Sequence, residues 1–183
     1  MESRPLRQAA GAVLLVALHF LAAIVHGDTT ILREAVYWLP TGIAVAGVWL
    51  LGWRAAIYVA IATFLHRAYI GRPFAEAFLP AVGNGLEALA ALALLRRFQF
   101  DPTFHRLRDV LALIATAAIA PMVSTAMAAL MYVYVHHPNA GSVAAAWGWW
   151  RMNTLGIMVI TPTILSWTSG RWSRPTRRTV VEV

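Results

Sequence analysis

The residues of this 183-residue sequence that could do chemistry stand inside apolar stretches. Asn84 and Glu87 are three residues apart, which puts them on one face of a helix. Arg151 and Asn153 stand near the head of the run at 147–161, WGWWRMNTLGIMVIT, just behind Trp147, Trp149 and Trp150. Thr41 follows Pro40 early in another apolar run. An ionised carboxylate left unpaired in hydrocarbon is too costly to persist, so Glu87 must neutralise or find a cation. Arg151 is the cation expected beside it, directly or through water. Asn84 and Asn153 would be satellite hydrogen-bonding groups, because one unpaired member of such a set is expensive.

At about 1.5 Å of rise per helical residue, Thr41, Asn84, Glu87, Arg151 and Asn153 fall at similar depth, in the outer half of a membrane. The layer reads in two ways. It is a pocket open to the outer side for a small ligand, walled by Trp147, Trp149 and Trp150, with Trp150 beside Arg151, or it is a polar clamp that fixes helix register and binds nothing. Tryptophans near helix ends also serve as interfacial anchors, and three so close in sequence point in different directions. At most one or two of them can line a pocket.

The six histidines carry less. A b-type haem needs facing histidines from two helices at matched depth, and only His19 is clearly deep. His66 with His136 and His137 is a weak candidate for zinc or copper on the outer side. Cysteine is absent, which removes disulfides, thiolate sites and cysteine nucleophiles. There is no nucleophile elbow, phosphate loop, zinc helix or paired-aspartate motif. Ser124 and Thr125, shortly after Pro121, are expected to satisfy backbone carbonyls freed by the proline. The expectation is a protein without catalytic residues, metal or cofactor.

The elements that must position these residues are membrane helices. The chain is 60% hydrophobic and 13% charged, far from the balance of a soluble domain. Several apolar runs reach roughly 20 residues, the length of a membrane span. The fold class is therefore an all-α polytopic bundle of about six spans with proline-broken helices. The predicted spans cover residues 8–26, 35–51, 55–69, 74–95, 110–135 and 143–167. Pro40, Pro80, Pro121 and Pro162 each fall within one. The basic, apolar N-terminus resembles a signal peptide, but no convincing cleavage site follows before His26, so it is read as a first span that is retained.

The net charge of +7 does not point to nucleic acid. All fifteen basic residues are arginine, and eleven fall on one side of a six-span topology against four on the other. The positive-inside rule then places both termini in the cytoplasm, with the lipid bilayer as the first partner.

Four motifs occur in a fixed order. They are Trp38-Leu39-Pro40-Thr41-Gly42-Ile43-Ala44, Gly83-Asn84-Gly85-Leu86-Glu87-Ala88, the link Phe100-Asp101-Pro102 through Phe104 to Arg106-Leu107-Arg108-Asp109-Val110-Leu111, and Trp149-Trp150-Arg151-Met152-Asn153-Thr154-Leu155-Gly156 with Thr161-Pro162. Together, over about residues 36–168, they resemble type 1 of the MASE class, the membrane-associated sensor domains. The resemblance implies a bacterial sensory module for residues 1–168, one that passes a signal to a histidine kinase or diguanylate cyclase module. The position of Asn153 is often aspartate in that family, so a different ligand or a loss of sensing is implied. The sequence is expected to hold no output domain, only a basic tail at 169–183, so it would act through a partner or be a fragment. A homodimer is also open, since the alanine-rich faces of the fourth and fifth spans would allow close packing. The runner-up reading is a substrate-binding subunit of the six-helix vitamin-importer kind.

Overall fold

A computed structural model describes residues 4–28, 38–135 and 140–169. The described residues form seven helices and no strand: α1 (Arg4–Asp28), α2 (Leu39–Leu51), α3 (Ala55–Tyr69), α4 (Phe74–Arg97), α5 (Leu107–Ile119), α6 (Pro121–Val135) and α7 (Ala140–Thr168). The basic tail beyond residue 169 and the pair His136-His137 lie outside the described residues.

Helix boundaries follow local chemistry. Pro40 sits in the first turn of α2, where its missing N–H costs nothing. Gly52 ends α2 with φ 86°, a left-handed geometry that glycine adopts without strain, and the turn through Trp53 and Arg54 leads directly into α3. Asp109 opens α5 by accepting the N–H of Arg106 at 3.3 Å and that of Asp101 at 3.1 Å. The break between α5 and α6 at Ala120 falls where Pro121 cannot donate. The fifth predicted span is thus two helices that meet at Ala120, as its proline led one to expect.

Around this skeleton the polarity is that of a membrane protein. Leu14, Leu18, Ile57, Ile61, Leu65, Ile114 and Met122 face outward, while His19, Glu87, Asp109, Thr116 and Asn153 are buried. The segments Gln8–Val25, Phe74–Arg97 and Leu107–Met131 are each long and apolar enough to cross a bilayer.

Helix α1 packs on α2 and α3, α3 on α4, α4 on α6, and α7 on α2 and α6. At one end of the bundle an apolar floor of Val45, Leu95, Leu113, Ile157 and Leu165 ties α2, α4, α5 and α7 together. The loop between α4 and α5 closes that floor: Phe100 meets Trp49 edge-on at 5.2 Å between ring centroids and Phe104 at 5.3 Å. The polar layer lies above the floor, towards the end where α3 turns into α4.

Candidate functional site

The layer is centred on Asn153 in α7. Its carboxamide oxygen accepts the hydroxyl of Thr41 in α2 at 3.0 Å. Its nitrogen donates to Glu87 Oε2 in α4 at 3.1 Å and to Ser124 Oγ in α6 at 3.2 Å. One asparagine therefore joins four helices. Trp149, one turn earlier on α7, donates its indole N–H to the same Ser124 oxygen at 3.2 Å, and Ser124 in turn donates to the Pro121 carbonyl at 3.2 Å.

Beside this network stands a second one. His19 in α1 meets Thr63 Oγ1 in α3 at 3.1 Å through its Nε2, and Asn84 Nδ2 donates to that same oxygen at 3.3 Å. Between the two networks lies a cavity of about 170 Å³ lined by His19, Trp38, Thr63, His66, Arg67, Asn84, Trp149 and Asn153, with Ala23 and Met152. Trp38 and His66 lie 6.2 Å apart between ring centroids, and the Arg67 guanidinium sits 6.0 Å over the Trp149 ring. The Arg67 Nε also donates to the Glu76 carbonyl at 2.8 Å. A cavity of about 150 Å³ holds benzene, so this one has room for a single ring with a substituent and not for a macrocycle.

Close backbone contact holds α7 in this position. The Trp38 N–H donates to the Met152 carbonyl at 2.9 Å, and Thr161 Oγ1 donates to the Gly42 carbonyl at 3.1 Å. A Cβ at Gly156 would collide with the Trp38 carbonyl oxygen, and one at Gly42 with the Gly156 carbonyl oxygen. Only glycine fits at either place.

Of the six residues expected to form the layer, the structure brings together Thr41, Asn84, Glu87 and Asn153. It sets Arg151 and Trp150 apart. Arg151 is exposed, and the expected contact with Glu87 is made by Asn153 instead. The reason is helix phase: residues two apart point to nearly opposite sides, so only one of the pair can face α4. Trp150 stacks on the exposed Trp147 at 4.9 Å between centroids and donates its indole N–H to the Ala118 carbonyl at 2.9 Å, which braces the α5–α6 corner. Of the three tryptophans expected as walls, Trp149 lines the cavity.

The expected layer left out Thr63, His66, Arg67 and the hydroxyl of Ser124. His66, weighed in the sequence only as a weak metal candidate on the outer side, is buried in the last turn of α3 and shares a cavity wall with the deep His19. The signal available was Thr63 and His66, three apart on α3 and thus on one face. Among the described residues, no three of His, Asp or Glu gather as a metal site.

Helices with apolar exteriors and a polar interior gathered at one cavity define a multi-pass helical membrane domain. The chain matches the MASE1 family over residues 6–183, nearly its whole length, and belongs to that family. MASE1 is a membrane-associated sensory domain, an input domain and not a catalytic one, and the chain is a multi-pass inner-membrane protein with a sensory role. No curated protein and no solved structure matches it.

Proposed function

We propose that the chain detects a small ligand in the cavity between His19, Trp38, His66, Asn84 and Trp149, and passes the event to a cytoplasmic output module through α7. The observation that carries this reading is the position of Asn153. It lines the cavity and is also the residue that ties α7 to α2, α4 and α6. A ligand that competes for Asn153 changes how α7 is held, and it shifts the balance of two packings by its unequal affinity for them.

The topology behind this reading has six crossings, with α5 and α6 counted as one, and both termini in the cytoplasm. Arg54, Arg96, Arg97, Arg106 and Arg108 then lie at the cytoplasmic end, in keeping with the positive-inside rule, and the cavity lies towards the periplasm. The output partner is a histidine kinase or a diguanylate cyclase module.

A chimera tests this. The chain is fused ahead of a diguanylate cyclase, and output is followed while small organic compounds are supplied from the periplasmic side. Ala23 is buried in the cavity wall, so Ala23→Phe fills the cavity. It should abolish the response to any active compound while membrane insertion stays intact. An undiminished response in the inserted variant would overturn the reading.

A further inference from the structure

Below the ligand cavity lies a second void of about 10 Å³, lined by His19, Thr41, Ala44, Val45, Asn84, Glu87 and Ala88. That is the room of one water molecule. Three of its lining residues each carry a buried polar atom with no hydrogen-bond partner: His19 Nδ1, Asn84 Oδ1 and Glu87 Oε1. Buried polar atoms are almost always satisfied, so three orphans around one water-sized void call for a shared occupant.

Donor and acceptor roles decide its form. Thr63 Oγ1 accepts from Asn84 Nδ2, and its single proton can be donated to His19 Nε2. With that assignment the His19 proton sits on Nδ1, as a donor. Asn84 Oδ1 can only accept. Asn153 donates to Glu87 Oε2, so that oxygen is already an acceptor. Among the described residues no cation pairs with Glu87, and an unpaired carboxylate in this setting is too costly to keep. Besides Glu87, the titratable and charged groups that line either cavity are His19 on α1 and His66 and Arg67 on α3. Of these only His19 lines the void. Arg67 lines the larger cavity, and Arg151 is exposed.

We infer that Glu87 is held as the neutral carboxylic acid and that, with His19, Asn84 and Thr41, it grips one water, which makes this void a proton-binding site. The water accepts from His19 Nδ1–H and from the Glu87 acid, and it donates to Asn84 Oδ1 and Thr41 Oγ1. Every orphan is then satisfied, and the site is electrically neutral. The proton on Oε1 comes from solvent, and no other bond is made or broken. His19 and Asn84 line both the void and the larger cavity, so a ligand above touches the groups that hold the proton below. This coupling rests on the sensor reading; the proton site itself does not.

Infrared spectroscopy of the full chain in lipid nanodiscs at neutral pH tests it. A carbonyl band of a protonated carboxylic acid should appear, shift in D2O, and disappear in Glu87→Gln. Asn84→Leu removes an acceptor of the shared water and should move the band to higher frequency, so the test survives if Glu87→Gln does not fold. Absence of the band in the unmodified protein would overturn the inference, as would a band that survives Glu87→Gln or one that sodium chloride abolishes and potassium chloride does not. The last result would make the occupant a sodium ion. None of these outcomes bears on the chimera response to Ala23→Phe, so the two readings fail separately.

Discussion

Gly42 and Gly156 touch backbone to backbone, and neither has room for a Cβ: the first would strike the Gly156 carbonyl oxygen, the second the Trp38 carbonyl oxygen. Small residues let membrane helices approach in this way, and here the approach brings Asn153 within reach of Thr41. Gly156→Ala should therefore unseat α7. Overpacking costs typically about 1–3 kcal/mol, and a clash with backbone belongs at or above the top of that range. Thermal unfolding of the purified protein in nanodiscs should show a lower midpoint for Gly156→Ala and Gly42→Ala. Gly148 has open space around it, and Gly148→Ala should leave the midpoint unchanged.

The Asn153–Glu87 link gives a second prediction. Asn153→Leu removes the partner of Thr41, Glu87 and Ser124 together and should cost about 1–3 kcal/mol, the penalty for stranded buried polar groups. Adding Glu87→Met removes one stranded group and should recover part of the loss. A double-mutant cycle on unfolding free energies should return a coupling of about 0.5–3 kcal/mol, as expected of residues in one network. Strict additivity would mean that the bond contributes nothing.

Arg151 should behave differently. It is exposed and makes no contact with the layer, so Arg151→Gln should change stability by less than about 0.5 kcal/mol. Unfolding midpoints measured beside those of Asn153→Leu separate the two positions. A loss comparable with that of Asn153→Leu would restore Arg151 as the counter-charge of Glu87.

The loop between α4 and α5 offers a pH dependence outside the membrane. Asp101 accepts the Thr103 hydroxyl at 2.7 Å and the Thr103 N–H at 2.9 Å, which holds its carboxyl below the usual carboxylate range. The charged form is favoured in the folded loop. Its contribution is therefore complete above the unfolded-state pKa and is lost as pH falls through the depressed one. Amide exchange at Thr103, corrected for intrinsic rates, should accelerate in acid. Asp101→Ala should exchange fast at every pH and show no such step.

Much of this architecture could be read before any coordinates were known. Apolar runs and turn residues located the helices, so that the third predicted span and α3 share both ends, and Pro121 marked the α5–α6 break. Depth arithmetic grouped Thr41, Asn84, Glu87 and Asn153, because rise along a helix is fixed by geometry. Depth carries no information about phase. It ranked Arg151 with Asn153, and only the packing of α7 against α2 settled which of them faces Glu87. Nor does sequence say which helices are neighbours. The pairing of His19 with Thr63 depends on α1 lying beside α3, and that left His66 and Arg67 out of the expected site.

The glycine contact has a mechanical consequence. Gly156 lies three residues from Asn153 and nine from Leu165, about 4.5 Å and 13.5 Å along the axis of α7. A helix rocking on that contact is an unequal lever whose long arm moves about three times as far as its short one. Leu165, at the end of the long arm, is fully buried in the apolar floor, where close packing tolerates little displacement. If α7 rocked on that contact, a shift at Asn153 too small to break a hydrogen bond would be magnified into a steric event at the opposite end of the bundle.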